Sequence, residues 1–511
     1  MSKEDVRLMV ERRFFRWMVR AALAVASFTV LAPAAQAQTT PQGPNEWLCD
    51  ASYQDCRLPL IRLIQNENVG IDVAFWFMQD ARYKTEIIRR WQAGVPVRIL
   101  VDPLANASYP GNDQMIAEFA AAGIPMRMRK PTAPGILHWK MMLFVGQMQM
   151  EFSGANFSPT AFVPADPYVD YEDETLYFTD DLSVVQSFMT EFDSHWTETT
   201  NYQDYANLIN LPVRNYPIYV KDPALNFPQA EDYALRLLKR YPKENQAIDV
   251  IMYRISDERE TNALITAMTR GIPVRLISDM KEYRFPNRQW VSYNLDKLYA
   301  AGVPLRVRGH LGLNHQKLVL FYHNTPATGP AAPLTVFGSS NWTTPSANQQ
   351  QEHNYFTLKP WIFDYFENQF MRKWCSGNWA AGMPDYCAGR LNPVGGVETT
   401  DFVPLPADKP INLAPIDASI NLSTTGLSLK WDPGYFGQIY DIYFGVDPNP
   451  PLFKPDLKLG PVDYARPKTK KALALPTLQP GTTYYWRIAT KTMAGLMTKG
   501  PIWSFTTAIE R

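Results

Sequence analysis

Two copies of one set of side chains recur along the sequence: His138-Trp139-Lys140 followed by Asn156 and Glu174, and His315-Gln316-Lys317 followed by Asn341 and Glu352. The two His and the two Lys are each 177 residues apart, and the two Glu are 178 apart. The interval from Asn156 to Asn341 widens to 185, which a hairpin-loop insertion over 323–333 explains. On a strand, residues i and i+2 share a face, so each copy offers an imidazole beside a fixed ammonium group. Two Lys and two Asn converging on one point form a pocket for an anion with several oxygens, and a phosphoryl group fits it best. Two imidazoles then divide the labour of an in-line displacement, one attacking phosphorus and the other protonating the leaving oxygen. A Glu bonded to the far nitrogen of each His fixes its tautomer and stabilises the developing positive charge. His195, His310, His323 and His353 have no counterpart in the other copy and read as structural residues.

The elements that carry these residues are duplicated as well. Residues 70–78 recur as 247–255 and residues 93–102 as 270–279, both at an offset of 177, and 122–129 recur as 301–308 at 179. Each copy alternates β-branched runs (71–77, 97–101; 248–255, 274–278) with amphipathic stretches (82–92; 258–269), a pattern that builds a sheet covered by helices. From 391 to 410 a Pro/Gly/Thr-rich stretch without apolar periodicity reads as a linker. Beyond it, 427–431, 439–444 and 484–488 alternate like strands. The expected organisation is therefore a first unit over 38–210, a second over 211–390, a linker over 391–410 and an all-β domain over 411–511.

A chain of 511 residues calls for two to four domains. Its 50 Lys and Arg balance 50 Asp and Glu, which removes the strong basic field of a non-specific nucleic-acid binder. Residues 1–37 read as an export signal: Arg12, Arg13, Arg16 and Arg20 precede an apolar run ending at Ala35-Gln36-Ala37. Arg12-Arg13-Phe14-Phe15 resembles a twin-arginine signal. Removing this leader leaves 44 bases against 47 acids, and no later run is long enough to span a membrane. The four Cys of an exported chain favour local disulfides, Cys49–Cys56 and Cys375–Cys387, over cross-pairing or a four-cysteine zinc site, whose ligand spacing is tighter.

The duplicated H-x-K with its following Asn and downstream acid resembles the phospholipase D superfamily over about residues 50–385. The resemblance implies two pseudo-symmetric phospholipase D-like α/β/α sandwich units forming one core with the active site at their interface. It also implies a phosphohistidine intermediate formed without metal or other cofactor. His138 is then the nucleophile, and His315 the acid that protonates the leaving alcohol and the base that activates water, or the reverse. Lys140, Lys317, Asn156 and Asn341 hold the phosphoryl oxygens, Glu352 orients His138, and Glu174 orients His315. Ser339 adds a hydroxyl to that pocket where the first copy has Gly154. The family motif continues H-x-K-x4-D, and here the Asp positions are Val145 and Tyr322, which removes a structural ion-pair partner from each copy.

The tail resembles a fibronectin type III module, an immunoglobulin-like sandwich with a buried Trp at 431 and a tyrosine corner ending at Tyr484; its ligand, if it is more than a spacer, is unknown. Two substrates fit the reaction class, a phospholipid head-group bond or a nucleic-acid backbone. The slightly acidic mature chain speaks against nucleic acid. Trp139 and its Met-rich surroundings (Met141, Met142, Met148, Met150) read either as an acyl-facing wall or as ordinary core, and 281–288 as a loop over the site. The expectation is an exported enzyme acting on phospholipid at a membrane surface, giving phosphatidate and free alcohol with some transfer to other alcohols. A secreted nuclease comes second. A silent adhesion protein comes third, against which the intact double set of His, Lys and Asn stands.

Overall fold

The computed structural model describes residues 46–163, 171–326, 329–461 and 471–509. The leader expected over 1–37 lies outside them. Residues 46–253, 262–279 and 306–401 belong to one compact unit. Its first sheet holds β1 (Trp47–Asp50), β2 (Ile71–Phe75), β3 (Val97–Val101), β4 (Met126–Arg129), β5 (Lys140–Phe144), β6 (Gln149–Ser153), β7 (Thr175–Thr179) and β8 (Tyr202–Ala206), in the order β1-β7-β6-β5-β2-β3-β4-β8. The second sheet holds β9 (Leu225–Asn226), β10 (Ile248–Met252), β11 (Val274–Ser278), β12 (Leu305–Arg308), β13 (Lys317–Asn324), β14 (Ala332–Gly338), β15 (Asn354–Thr357), β16 (Gly377–Asn378) and β17 (Thr399–Asp401). Its order, β9-β15-β14-β13-β10-β11-β12-β17-β16, repeats the first sheet strand for strand until β16.

In each half the parallel pair (β2 with β3, β10 with β11) is flanked by the antiparallel strand that carries the H-x-K lysine. The register sets Phe75 opposite Lys140 and Met252 opposite Lys317, so both lysines stand at the carboxyl end of the parallel pair, where α/β folds place their chemistry. One cluster of buried side chains draws on both halves, including Trp139, Phe152 and Phe188 from the first and Leu318, Phe337 and Phe370 from the second. The two units therefore share a core, which is what brings their carboxyl ends together.

Each half also buries one Asp–Arg pair across its parallel strands: Arg98 Nε lies 2.7 Å from Asp72 Oδ1, and Arg275 Nε 2.8 Å from Asp249 Oδ1. An ion pair taken out of water is stabilising only when its remaining lone pairs are satisfied. The halves meet this need differently. In the first, Asp193 and Arg214 close a four-membered network around Asp72 and Arg98. In the second, Tyr322, which occupies the position of the motif Asp, donates its hydroxyl to Asp249 at 2.6 Å. Tyr322→Phe is expected to cost about 1–3 kcal/mol by leaving that carboxylate short of a donor, read as a drop in the urea midpoint at constant slope.

Two disulfides are formed, Cys49–Cys56 and Cys375–Cys387, and no described cysteine is free. No helix among the described residues is long and apolar enough to cross a membrane.

A second compact unit comprises residues 254–261, 280–305 and 402–511. It contains a three-stranded sheet (Ile411–Ala414, Ser428–Asp432, Lys471–Ala474) and a six-stranded one (Ser419–Leu422, Trp503–Thr507, Thr483–Lys491, Ile439–Gly445, Leu452–Leu457 and Met497–Lys499). Trp431, Tyr440, Trp486 and Phe505 fill the core of this all-β region. Tyr484 Oη accepts the backbone N–H of Gln479 at 2.9 Å.

The stretch 391–410 is not the plain linker expected. Thr399–Asp401 is a strand paired with β12, Glu398 is buried on Arg372 at 2.9 Å, and Leu405 N–H is held by Tyr283 Oη at 3.0 Å. Three-residue strands are too short to show periodicity, which is why composition alone misread them. The helix Gln289–Ala300 belongs to the same unit as the all-β region, and Gln438 Nε2 donates to Asp296 on it at 3.0 Å. The segment 281–288, expected as a loop, folds as the helix Met280–Tyr283 and the turn Pro286–Arg288, with Glu282 buried between Arg254 and Arg288.

Candidate active site

The two H-x-K segments enter their strands through mirrored contacts. Leu137 N–H is held by Asp102 Oδ2 at 2.9 Å, and Asn314 N–H by Asp279 Oδ2 at 2.8 Å. The next residue bonds across to the other half: His138 N–H to Gln351 O at 2.8 Å and His315 N–H to Asp173 O at 3.1 Å. The residue after each of those acceptors is a glutamate, so the carboxylates meet the histidines crosswise. His138 Nδ1 lies 2.7 Å from Glu352 Oε2, and His315 Nδ1 lies 2.5 Å from Glu174 Oε1. A carboxylate on Nδ1 makes that nitrogen the protonated one and leaves Nε2 with the lone pair.

The lysines lie beside these pairs. Lys140 Nζ donates to His138 O at 2.7 Å, Lys317 Nζ donates to His315 O, and Lys317 Nζ is 3.7 Å from Glu174 Oε1. Asn156 and Asn341 sit in matching turns, their carbonyls accepting from Ser158 N–H at 2.7 Å and Thr343 N–H at 2.9 Å. In both, the amide oxygen is buried with no protein partner. A buried polar group without a partner is costly and calls for a ligand or water.

Burial sets the electrostatics. It pushes Glu352 up to about 8, with the Lys140 charge and the Ser339 hydroxyl opposing, and Glu174 up to about 7, with Lys317 opposing. Burial also holds Lys140 well below the usual lysine range, against the pull of Glu352. Burial thus opposes the charged forms of both carboxylates and of Lys140, and an anion bound between the two lysines would favour their charged forms.

The family model described as cardiolipin synthase, phospholipase D-like domain, matches residues 60–196 and 240–374, more than half of the chain. The chain belongs to the phospholipase D-like superfamily. Among solved structures, phosphatidylserine synthase from Haemophilus influenzae is similar at 12% identity and a TM-score of 0.50 over 65% of this chain and 87% of that one. Polyphosphate kinase from Porphyromonas gingivalis matches at 14% identity and a TM-score of 0.46 over 68% of this chain; the match spans about half of the kinase, 51%. The phospholipase D family member Nuc from Salmonella typhimurium matches at 16% and 0.26, over 31% of this chain and 96% of that one. No curated protein matches the chain in sequence.

Two residues expected at the substrate of this phospholipase D-like core stand elsewhere. Trp139 is 1% exposed, donates its indole N–H to Glu352 O at 3.0 Å and packs against Phe188 and Phe227, so it lines no acyl wall. It alternates with His138 along the chain and therefore faces the shared core while His138 faces the site. Ser339 is fully buried and gives its hydroxyl to Glu352 Oε2 at 2.5 Å, holding the carboxylate instead of a phosphoryl oxygen. Gly154 has no such role because Glu174 takes the space: a Cβ there would sit 3.0 Å from both carboxylate oxygens.

The sequence alone gave no role to Asp102 or Asp279. The two Asp close duplicated blocks 177 apart, which is the signal that marks them in the sequence. His353, expected as a structural residue, is buried with its Nε2 accepting Lys140 N–H at 3.3 Å, and burial holds its pKa well below the usual histidine range.

The Ser339 contact makes a signed prediction. Its hydroxyl lowers the Glu352 pKa, so Ser339→Ala raises it further and the acid limb of kcat/KM moves to higher pH. Activity is then lost most at pH 7 and recovered toward pH 9; an unmoved limb contradicts the assigned role.

Proposed function

We propose that the protein is an exported phospholipase D-type phosphodiesterase that hydrolyses phospholipids to phosphatidate and the free head-group alcohol, with transfer to other alcohols as a side reaction. The observation that carries this reading is the crosswise pairing of each histidine with the other half's glutamate beside two lysines and two asparagines. His138 Nε2 attacks phosphorus, and the P–O bond to the head group breaks as protonated His315 gives that oxygen its proton. Neutral His315 then takes a proton from water, whose oxygen attacks phosphorus, and the P–N bond to His138 breaks to release phosphatidate. Glu352 and Glu174 stabilise the positive charge on each ring in turn, and Lys140, Lys317, Asn156 and Asn341 hold the non-bridging oxygens. No step uses a metal ion.

The leader pattern, the two disulfides and the slightly acidic mature chain support export and a lipid substrate. The all-β region is proposed as a fibronectin type III module, supported by buried Trp431 and the Tyr484 hydroxyl bond.

The test is head-group release from mixed phospholipid vesicles with EDTA present, with single- and double-stranded DNA in parallel. The reading expects lipid turnover without metal. DNA cleavage without lipid turnover replaces it with a nuclease, and activity on neither replaces it with a binding protein.

A further inference from the structure

The segment between β8 and β9 presents an unusual surface for a connection. Leu211, Val213, Tyr216, Ile218, Tyr219 and Val220 are all between 37% and 59% exposed, in a stretch with no regular secondary structure. A connecting strap is normally polar, and a run of this kind marks a surface that meets something apolar. The backbone beneath it is nevertheless fixed. Arg214 N–H bonds Asp193 Oδ2 at 2.6 Å, Tyr216 N–H bonds Thr190 Oγ1 at 2.7 Å, and Tyr219 N–H bonds Ser187 Oγ at 2.7 Å. These three acceptors are spaced three apart on the helix Leu182–Thr197, so the strap lies along that helix with its apolar side chains outward. Arg214 is neutralised between Asp72 and Asp193, and Lys221 at the end of the strap is exposed.

The charge pattern decides between occupants. No Asp or Glu occurs between Asp204 and Asp222, in a chain where acids make up 50 of 511 residues. Aliphatic side chains with tyrosines, an exposed Lys and no carboxylate suit the zone between lipid head groups and acyl chains, where phenol rings partition well and carboxylates are repelled by the negative surface potential.

We propose that residues 208–221 are the surface by which this protein sits on an anionic phospholipid membrane. The proposal rests on the lipid reading of the active site and adds the partner surface to it. Because the strap is already ordered, inserting its side chains costs little conformational entropy.

The test compares wild type with Val213→Asp/Ile218→Asp/Val220→Asp. Co-sedimentation with phosphatidylcholine vesicles containing phosphatidylglycerol is measured beside turnover of the same vesicles and of monomeric short-chain phosphatidylcholine. The expected result is a loss of vesicle binding of about tenfold or more, with vesicle turnover falling alongside it. Turnover of the monomeric substrate stays within about twofold, because none of the three residues belongs to the active site. Should the Asp variant melt early by circular dichroism, the corresponding triple Ser variant carries the same comparison. Equal vesicle binding by variant and wild type, or none by either, overturns the proposal. A wild-type dimer that the variant splits, with vesicle binding unchanged, makes the strap a self-association surface and also overturns it. Failure of the substrate reading is separable, since wild type would then turn over neither lipid form while vesicle binding still reports on the strap.

Discussion

His138→Ala and His315→Ala are each expected to lower phosphodiester turnover by about four orders of magnitude, and the double variant to be scarcely worse than either. On the proposed mechanism the two rings act in one sequence: without an attacking Nε2 no intermediate forms, and without a proton donor the alcohol does not leave. The two losses are separable by leaving group. A p-nitrophenyl phosphodiester expels a phenolate that needs no proton, so the variant lacking only the general acid keeps a single-turnover burst of p-nitrophenolate, while the variant lacking the nucleophile does not. On the roles given above, the burst survives in His315→Ala and vanishes in His138→Ala. The opposite pattern reverses the roles, and a burst in neither removes the covalent step.

The second large effect concerns the lysines. Lys140→Met and Lys317→Met are each expected to lower kcat/KM by about 10²–10³-fold, the range seen when one preorganised donor to a developing negative charge is removed. Stability is expected to move the other way. Both lysines are buried, and burial, with the neighbouring Lys317 charge adding to it, drives the Lys140 pKa down, so an ammonium there carries a cost that a thioether of similar volume does not. Thermal melts should therefore show an unchanged or raised Tm beside the lost activity. A parallel fall in Tm and activity would make these lysines structural. Function at the expense of stability is the usual bargain at such sites.

Much of this was legible in the sequence because duplication makes weak signals strong. One H-x-K says little, but His138, Lys140, Asn156 and Glu174 repeated in register with His315, Lys317, Asn341 and Glu352 point to one shared site. The duplicated Asp72–Arg98 and Asp249–Arg275 blocks were visible too, though not that Tyr322 and Asp193 would complete them. What stayed hidden was direction and the features present only once. The indole of Trp139 faces the core because it alternates with a site residue, and Ser339 turns to Glu352 because a buried carboxylate without a donor is more demanding than an open pocket. Likewise, the strand Thr399–Asp401 and the strap over 208–221 carry no periodicity, and only the fold shows what they touch.

The most direct test of the account is capture of the covalent intermediate. Enzyme mixed with excess phosphatidylcholine is quenched in alkaline denaturant within one turnover, digested and mapped by mass spectrometry. A phosphatidyl group is expected on the peptide containing His138, absent in His138→Ala. Turnover with no adduct on either motif histidine, or an adduct on another side chain, would contradict it.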